Sequence, residues 1–123
     1  MNLKTVLVAD DSPTMRAMLV AVLSSVGWTV IEAVDGKQAV FKAQGDTAID
    51  LVITDLNMPI LDGLGVIREL RALPKFRFTP ILVLTTEVSA EKKSEAKNAG
   101  ATGWLVKPFD PEQLLGVIQR VVR

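Results

Sequence analysis

Residues 5–13 read Thr5-Val6-Leu7-Val8-Ala9-Asp10-Asp11-Ser12-Pro13, and this stretch decides the fold. Its first five residues are apolar or β-branched with no polar alternation, the pattern of a parallel strand buried on both faces. Ser12 and Pro13 then supply an N-cap and a first helical residue. Met15, Met18, Leu19, Val22, Leu23 and Val26 follow at helical spacing until Gly27, which predicts a helix over Pro13–Val26. A buried strand running straight into a helix is half of a parallel βαβ unit, and two acids stand at the junction.

The same punctuation repeats outward along the chain. Trp28 to Ala33 reads as a second strand, Asp35 with Gln38 as the capping box of a second helix, and Gly45 as its stop. Leu51 to Thr54 makes a third strand, Asp55 to Gly63 a loop, and Leu64, Ile67 and Leu70 mark a third helix before Pro74. Ile81 to Leu84 is strand four, and Ser89 caps a fourth helix that ends at Gly100. Thr102 to Val106 is strand five. Asp110-Pro111-Glu112-Gln113 opens a last helix with Leu114, Leu115, Ile118, Val121 and Val122 inward. Five βα units with right-handed crossovers predict an α/β fold, an open parallel sheet covered by helices on both faces. The short loops leave no room for a linker, so residues 1–123 are expected to form one domain with no output domain attached.

Composition narrows the chemistry. The chain has 123 residues, 49% of them hydrophobic, which suffices for one packed core around a sheet. Fourteen basic residues balance fourteen acidic ones, so no excess of positive charge favours nucleic acid or an anionic membrane as a partner. The absence of cysteine and histidine removes disulfides, thiolate metal sites, cysteine nucleophiles and the most common base near neutral pH. Carboxylates, hydroxyls and lysine must do the work. The N-terminal residues have neither the length nor the flanks of a signal peptide or membrane span, and a cytoplasmic location is expected.

In a doubly wound sheet, ligands sit beyond the carboxyl ends of the strands, where the winding reverses. Strand one ends in Asp10-Asp11, strand three in Asp55, strand four in Thr85-Thr86 and strand five in Lys107-Pro108. If strands one and three are neighbours, as in the flavodoxin-like order, three carboxylates, a hydroxyl and an ammonium converge on one edge. Helix capping accounts for either Asp10 or Asp11 alone, but not for all three acids. Two like charges about 4 Å apart repel by about 4 kcal/mol at an effective dielectric of 20, so such a cluster must hold a proton or recruit a cation. Hard oxygen donors with positions left for water suit Mg2+, with Mn2+ the alternative, better than zinc or a dedicated calcium cage. Lysines usually lie on the surface and threonine is common in strands, yet Lys107 and Thr85 stand where they would face Asp55 and neutralise or hydrogen-bond a transferred phosphoryl group. Asp35, Asp46, Asp50 and Asp62 fit caps or turns, Asp62-Gly63 reading as a turn dipeptide.

These motifs resemble the receiver domains of two-component response regulators, and among them the small chemotaxis regulators of the CheY type. The match runs from Thr5 to Val122. Val8-Ala9-Asp10-Asp11-Ser12, Thr54-Asp55-Leu56-Asn57-Met58-Pro59, Asp62-Gly63, Leu84-Thr85-Thr86-Glu87, Gly100-Ala101 and Lys107-Pro108-Phe109 stand at family spacing. The resemblance implies strand order 2-1-3-4-5, the order for which CheY is a standard example. It implies Asp55 as phosphoacceptor, Asp10, Asp11, Asp55 and the Asn57 backbone carbonyl as ligands of Mg2+, and Thr85 and Lys107 as switch hydroxyl and phosphoryl-binding lysine. Asn57 and Glu87 occupy the two positions that tune phosphate lifetime. Trp104 stands where the chemotaxis members usually carry tyrosine, keeping a bulky switch ring without the hydroxyl.

The resemblance further implies a histidine kinase as phosphodonor. It implies a protein target such as a flagellar motor switch protein, while a phosphorelay intermediate or phosphate sink outside chemotaxis is the alternative. Helix four offers only alanines as apolar residues, so the surface of helix four, strand five and helix five is the expected readout. On that basis the protein is expected to be a phosphoacceptor signalling domain, not an enzyme, with self-phosphorylation and self-dephosphorylation chemistry. Two other classes fit less well. An aspartyl-phosphate phosphatase needs a second acid two residues after the nucleophile, where Asn57 stands, and a flavodoxin-like nucleotide binder needs a Gly/Ser/Thr-rich loop where Asp10-Asp11 would repel phosphate.

Overall fold

The computed structural model describes residues 4–122. Strands β1 (Lys4–Ala9), β2 (Trp28–Ala33), β3 (Leu51–Thr54), β4 (Ile81–Thr85) and β5 (Gly103–Val106) alternate with helices α1 (Pro13–Ser25), α2 (Gly36–Ala43), α3 (Gly63–Arg71), α4 (Ala90–Ala99) and α5 (Pro111–Val121). Each helix starts where a short polar side chain accepts one of its orphan amides: Ser12 from Met15, Asp35 from Gln38, Asp62 from Gly65, Ser89 from Lys92 and Asp110 from Gln113.

All neighbouring strands are parallel, in the order β2-β1-β3-β4-β5. The wholly apolar strands still alternate, but between two cores. Val6 and Val8 of β1 pack with Leu19 and Leu23 of α1 and Leu114 and Ile118 of α5 on one face. Leu7 and Ala9 pack with α2, α3 and Ala96 of α4 on the other. The winding reverses between β1 and β3, which places the crevice of the fold at their carboxyl ends.

Several details differ from the sequence reading. Met18 and Val26 are exposed: Val26 is the C-cap of α1, while Met18 lies about 100° round the helix from Leu19, beyond the buried stripe. Gln38 closes its cap on the N–H of Val34 rather than that of Asp35. Asp62-Gly63 is no turn tip, since Asp62 caps α3 and Gly63 is its buried first residue. Thr102 precedes β5, its hydroxyl accepting from Ile81 N. As the edge strand beside β4, β5 buries only Leu105 fully.

Candidate functional site: an acidic crevice at the carboxyl ends of the strands

The sheet register brings the acids to one level. Ala9 pairs with Thr54, so Asp10 and Asp55 leave their strands side by side. One further hydrogen bond continues each ladder past the strand ends: Asp10 N to Ala33 O at 3.1 Å, Asp55 N to Ala9 O at 2.9 Å, and Lys107 N to Thr85 O at 2.8 Å. These bonds fix the backbones from which Asp10, Asp55 and Lys107 project into the crevice.

Asp10 is buried, Asp55 nearly so, and Asp11 is exposed; one carboxylate oxygen from each lies within 4.8 Å of the others. Asp10 does not cap α1. Its Oδ1 accepts from Ser12 N at 2.9 Å, and its Oδ2 accepts from Lys107 Nζ at 2.7 Å. Asp55 Oδ2 accepts from the same ammonium at 3.0 Å, while Oδ1 accepts from Leu56 N at 2.6 Å. Burial pulls the Lys107 pKa down, but hydrogen bonds to Asp10 and Asp55 and the charge of both carboxylates outweigh that and hold it above the ordinary lysine value.

Thr85, fully buried at the end of β4, accepts from Glu87 N at 3.2 Å. Glu87 turns its own carboxylate to Ser89 N, and Asn57 is exposed with its N–H 3.5 Å from Asp55 Oδ1. Trp104 is half-buried against the α2-α3-α4 core and borders a cavity of about 180 Å³ with Ala96, Lys97 and Ala101. The structure therefore gathers Asp10, Asp11, Asp55 and Lys107 at one point, and sets Trp104 apart on the β5 edge.

Sequence reasoning misread Gly63 as part of a turn and missed Arg16. A Cβ on Gly63 would stand 2.2 Å from the Asp55 carbonyl oxygen, so only glycine lets α3 start against the Asp55 backbone. Arg16 donates to the Asp10 carbonyl at 2.7 Å. A glycine at the first helical position, after its cap, was the available signal for the first; a lone helical arginine gave none for the second.

All three carboxylates are hard oxygen donors, and the open side at Asp11 leaves room for water, a set that fits a small hard divalent cation. No helix among the described residues is long and apolar enough to cross a membrane.

The family model for the response regulator receiver domain matches residues 6–119. Chemotaxis protein CheY1 of Helicobacter pylori is 38% identical over 109 residues, covering 88% of each chain. The structure of the chemotaxis response regulator CheY4 of Vibrio cholerae superposes with a TM-score of 0.92 at 47% identity, covering 98% of this chain and all of that one. A receiver domain of a sensor histidine kinase from Pseudomonas aeruginosa, with a magnesium ion coordinated in its active-site cleft, gives a TM-score of 0.89 at 32% identity, over 98% of both chains. Some curated relatives are much longer, and the chain spans about half the length of those or less.

Proposed function

The chain belongs to the response regulator receiver domain family, and on that premise we propose that it is a Mg2+-dependent phosphorylation switch whose phosphoacceptor is Asp55. The observation that carries this reading is the single Lys107 ammonium bridging Asp10 and Asp55 within the three-acid cluster. A carboxylate held by a lysine beside a cation site is a nucleophile with its charge compensation already in place.

In the proposed reaction a carboxylate oxygen of Asp55 attacks the phosphorus of a phosphohistidine on a kinase. The P–O bond forms as the P–N bond breaks, and the histidine nitrogen leaves with the electron pair and takes up a proton. Asp10, Asp11, Asp55 and the Asn57 carbonyl would hold Mg2+, or Mn2+ in its place, which neutralises charge on the transferring oxygens. Lys107 would follow the new phosphoryl group, and the Thr85 hydroxyl would donate to another of its oxygens. Asn57, exposed beside Asp55, and Glu87, two residues past Thr85, would set access of water to the acyl phosphate and so its lifetime.

The likeness to CheY1 and CheY4 supports a chemotaxis setting in the cytoplasm, with a flagellar motor switch protein as target through the α4-β5-α5 surface. The decisive experiment incubates the protein with Mg2+ and acetyl phosphate and follows its mass. One hydroxylamine-sensitive phosphoryl group is expected, absent from Asp55→Asn; the same label on that variant would refute the assignment.

A further inference from the structure

Arg16 lies in the second turn of α1, and its guanidinium faces away from solvent. Nη1 donates to the Asp10 carbonyl at 2.7 Å, and Nε lies 3.4 Å from Glu32 Oε1 on β2. The Arg16 side chain is 14% exposed against 49% for Glu32, and Nε is buried with no hydrogen-bond partner. Holding a long cation this way costs rotamer freedom and hydration, so the one short bond it makes is the place to look for its use.

Asp10 is gripped at four points. Its N–H, its Oδ1 and its Oδ2 are fixed by Ala33, Ser12 and Lys107, and these three bonds already orient Asp10 itself. The bond from Arg16 adds nothing to that carboxylate. It fixes the plane of the peptide that joins Asp10 to Asp11. Asp11 is exposed and its carboxylate reaches the cluster, so this peptide plane sets the direction in which its side chain leaves the backbone toward the site. We infer that Arg16 is a positioning residue that aims Asp11 into the cation site through the Asp10–Asp11 peptide. The inference rests on the Mg2+ site proposed above.

Charge and geometry make opposite predictions. A guanidinium beside a cation site weakens cation binding by charge alone, so its removal would tighten Mg2+. A positioning residue strengthens binding, so its removal loosens Mg2+. The test is calorimetric titration of Mg2+ into the whole protein, Asp10→Asn, Arg16→Lys and Arg16→Met, well below their melting temperatures. Arg16→Lys keeps the charge but loses the planar fork that reaches the carbonyl while facing Glu32. Both Arg16 variants should bind about tenfold more weakly, the scale of outer-shell losses at metal sites. Their labelling by acetyl phosphate should return to the parent rate at saturating Mg2+, since only occupancy is lost.

Parent affinity in Arg16→Lys, tighter binding in Arg16→Met, or a labelling deficit that persists at saturation overturns the inference. If Arg16→Met does not fold, Arg16→Lys decides alone. A parent that binds no Mg2+, or whose binding survives Asp10→Asn, overturns the site itself and this inference with it. Binding lost in Asp10→Asn but intact in Arg16→Lys overturns the positioning role only.

Discussion

Lys107 and Asp10 stand 97 residues apart in the sequence, yet Lys107 Nζ lies 2.7 Å from Asp10 Oδ2. The contact closes the crevice past the ends of the two intervening strands, because the order β1-β3-β4-β5 puts β5 on the far side of Asp55. A long side chain is required to reach past the ends of β4 and β3, and lysine supplies it.

Removing that ammonium leaves two largely buried carboxylates facing each other. Lys107→Met should therefore lower stability by about 3 kcal/mol in the absence of divalent cations, as for other broken buried pairs. Mg2+ should restore much of it, since a ligand that binds only the folded state stabilises by mass action. Urea unfolding with and without millimolar Mg2+ measures both. Mg2+ should stabilise the variant more than the parent; an equal gain would mean that Lys107 does not compete with the cation.

Gly63 predicts a defect at the site from a mutation that touches no charge. The added methyl of Gly63→Ala meets the Asp55 carbonyl oxygen and Leu56 Cα, both backbone, so neither neighbour can swing aside. Overpacking of this kind costs about 1–3 kcal/mol. The same displacement moves Asp55, so labelling by acetyl phosphate should slow at saturating Mg2+. A variant of parental stability and rate would show that α3 shifts freely against β3.

The fold was legible because its signals are local. Ser12, Asp35 and Asp110 each stand just before a periodic apolar run, Ser89 stands before a polar segment closed by Gly100, and all four cap a helix as read. The acid cluster was legible one step later, since strand ends share one edge of a parallel sheet once the winding is known. Arg16 and Arg71 were not. Their short hydrogen bonds go to main-chain carbonyls, which every residue carries, so no pairing of side-chain types marks those bonds. Gly63 was misread because an Asp-Gly pair serves turns and helix starts alike, and only the approach of α3 to Asp55 separates the two.

Arg71 anchors one end of α4. Its guanidinium donates to the carbonyls of Phe76 at 2.5 Å, Thr79 at 2.7 Å and Gly100 at 2.9 Å, although burial lowers its pKa. Gly100 ends α4 with φ 117°, and a Cβ there would lie 2.9 Å from Arg71 Cγ. Arg71→Ala should cost about 2–3 kcal/mol, the scale of charged hydrogen bonds lost, since its carbonyl acceptors are part-buried. Gly100→Ala should cost at least about 1 kcal/mol in backbone strain, plus the collision. Because Arg71→Ala removes the colliding atom, the double variant should lose less than the sum of the singles, by about 0.5 kcal/mol or more. Strict additivity in denaturant unfolding would count against the contact.

The weakest seat in the molecule is that of α4, where only Ala96 is fully buried, against Leu114 and Ile118 in α5. Burial of apolar area scales the grip of a helix, so α4 is the element that shifts most readily once something draws on its neighbours. Thr85 is such a neighbour: it is buried at the end of β4, one strand from Trp104, whose ring borders the cavity lined by Ala96 and Lys97. A phosphoryl group on Asp55 would draw the Thr85 hydroxyl toward it, open space behind it, and let Trp104 turn inward as α4 moves, converting a local charge change into a two-state surface. In a Trp28→Phe background, Trp104 is the sole tryptophan. Its emission should change when beryllofluoride and Mg2+ are added, and Thr85→Ala should remove most of that change. An unaltered signal in the Thr85 parent would mean that Trp104 is a fixed cover on the sheet edge and that any switch runs by another route.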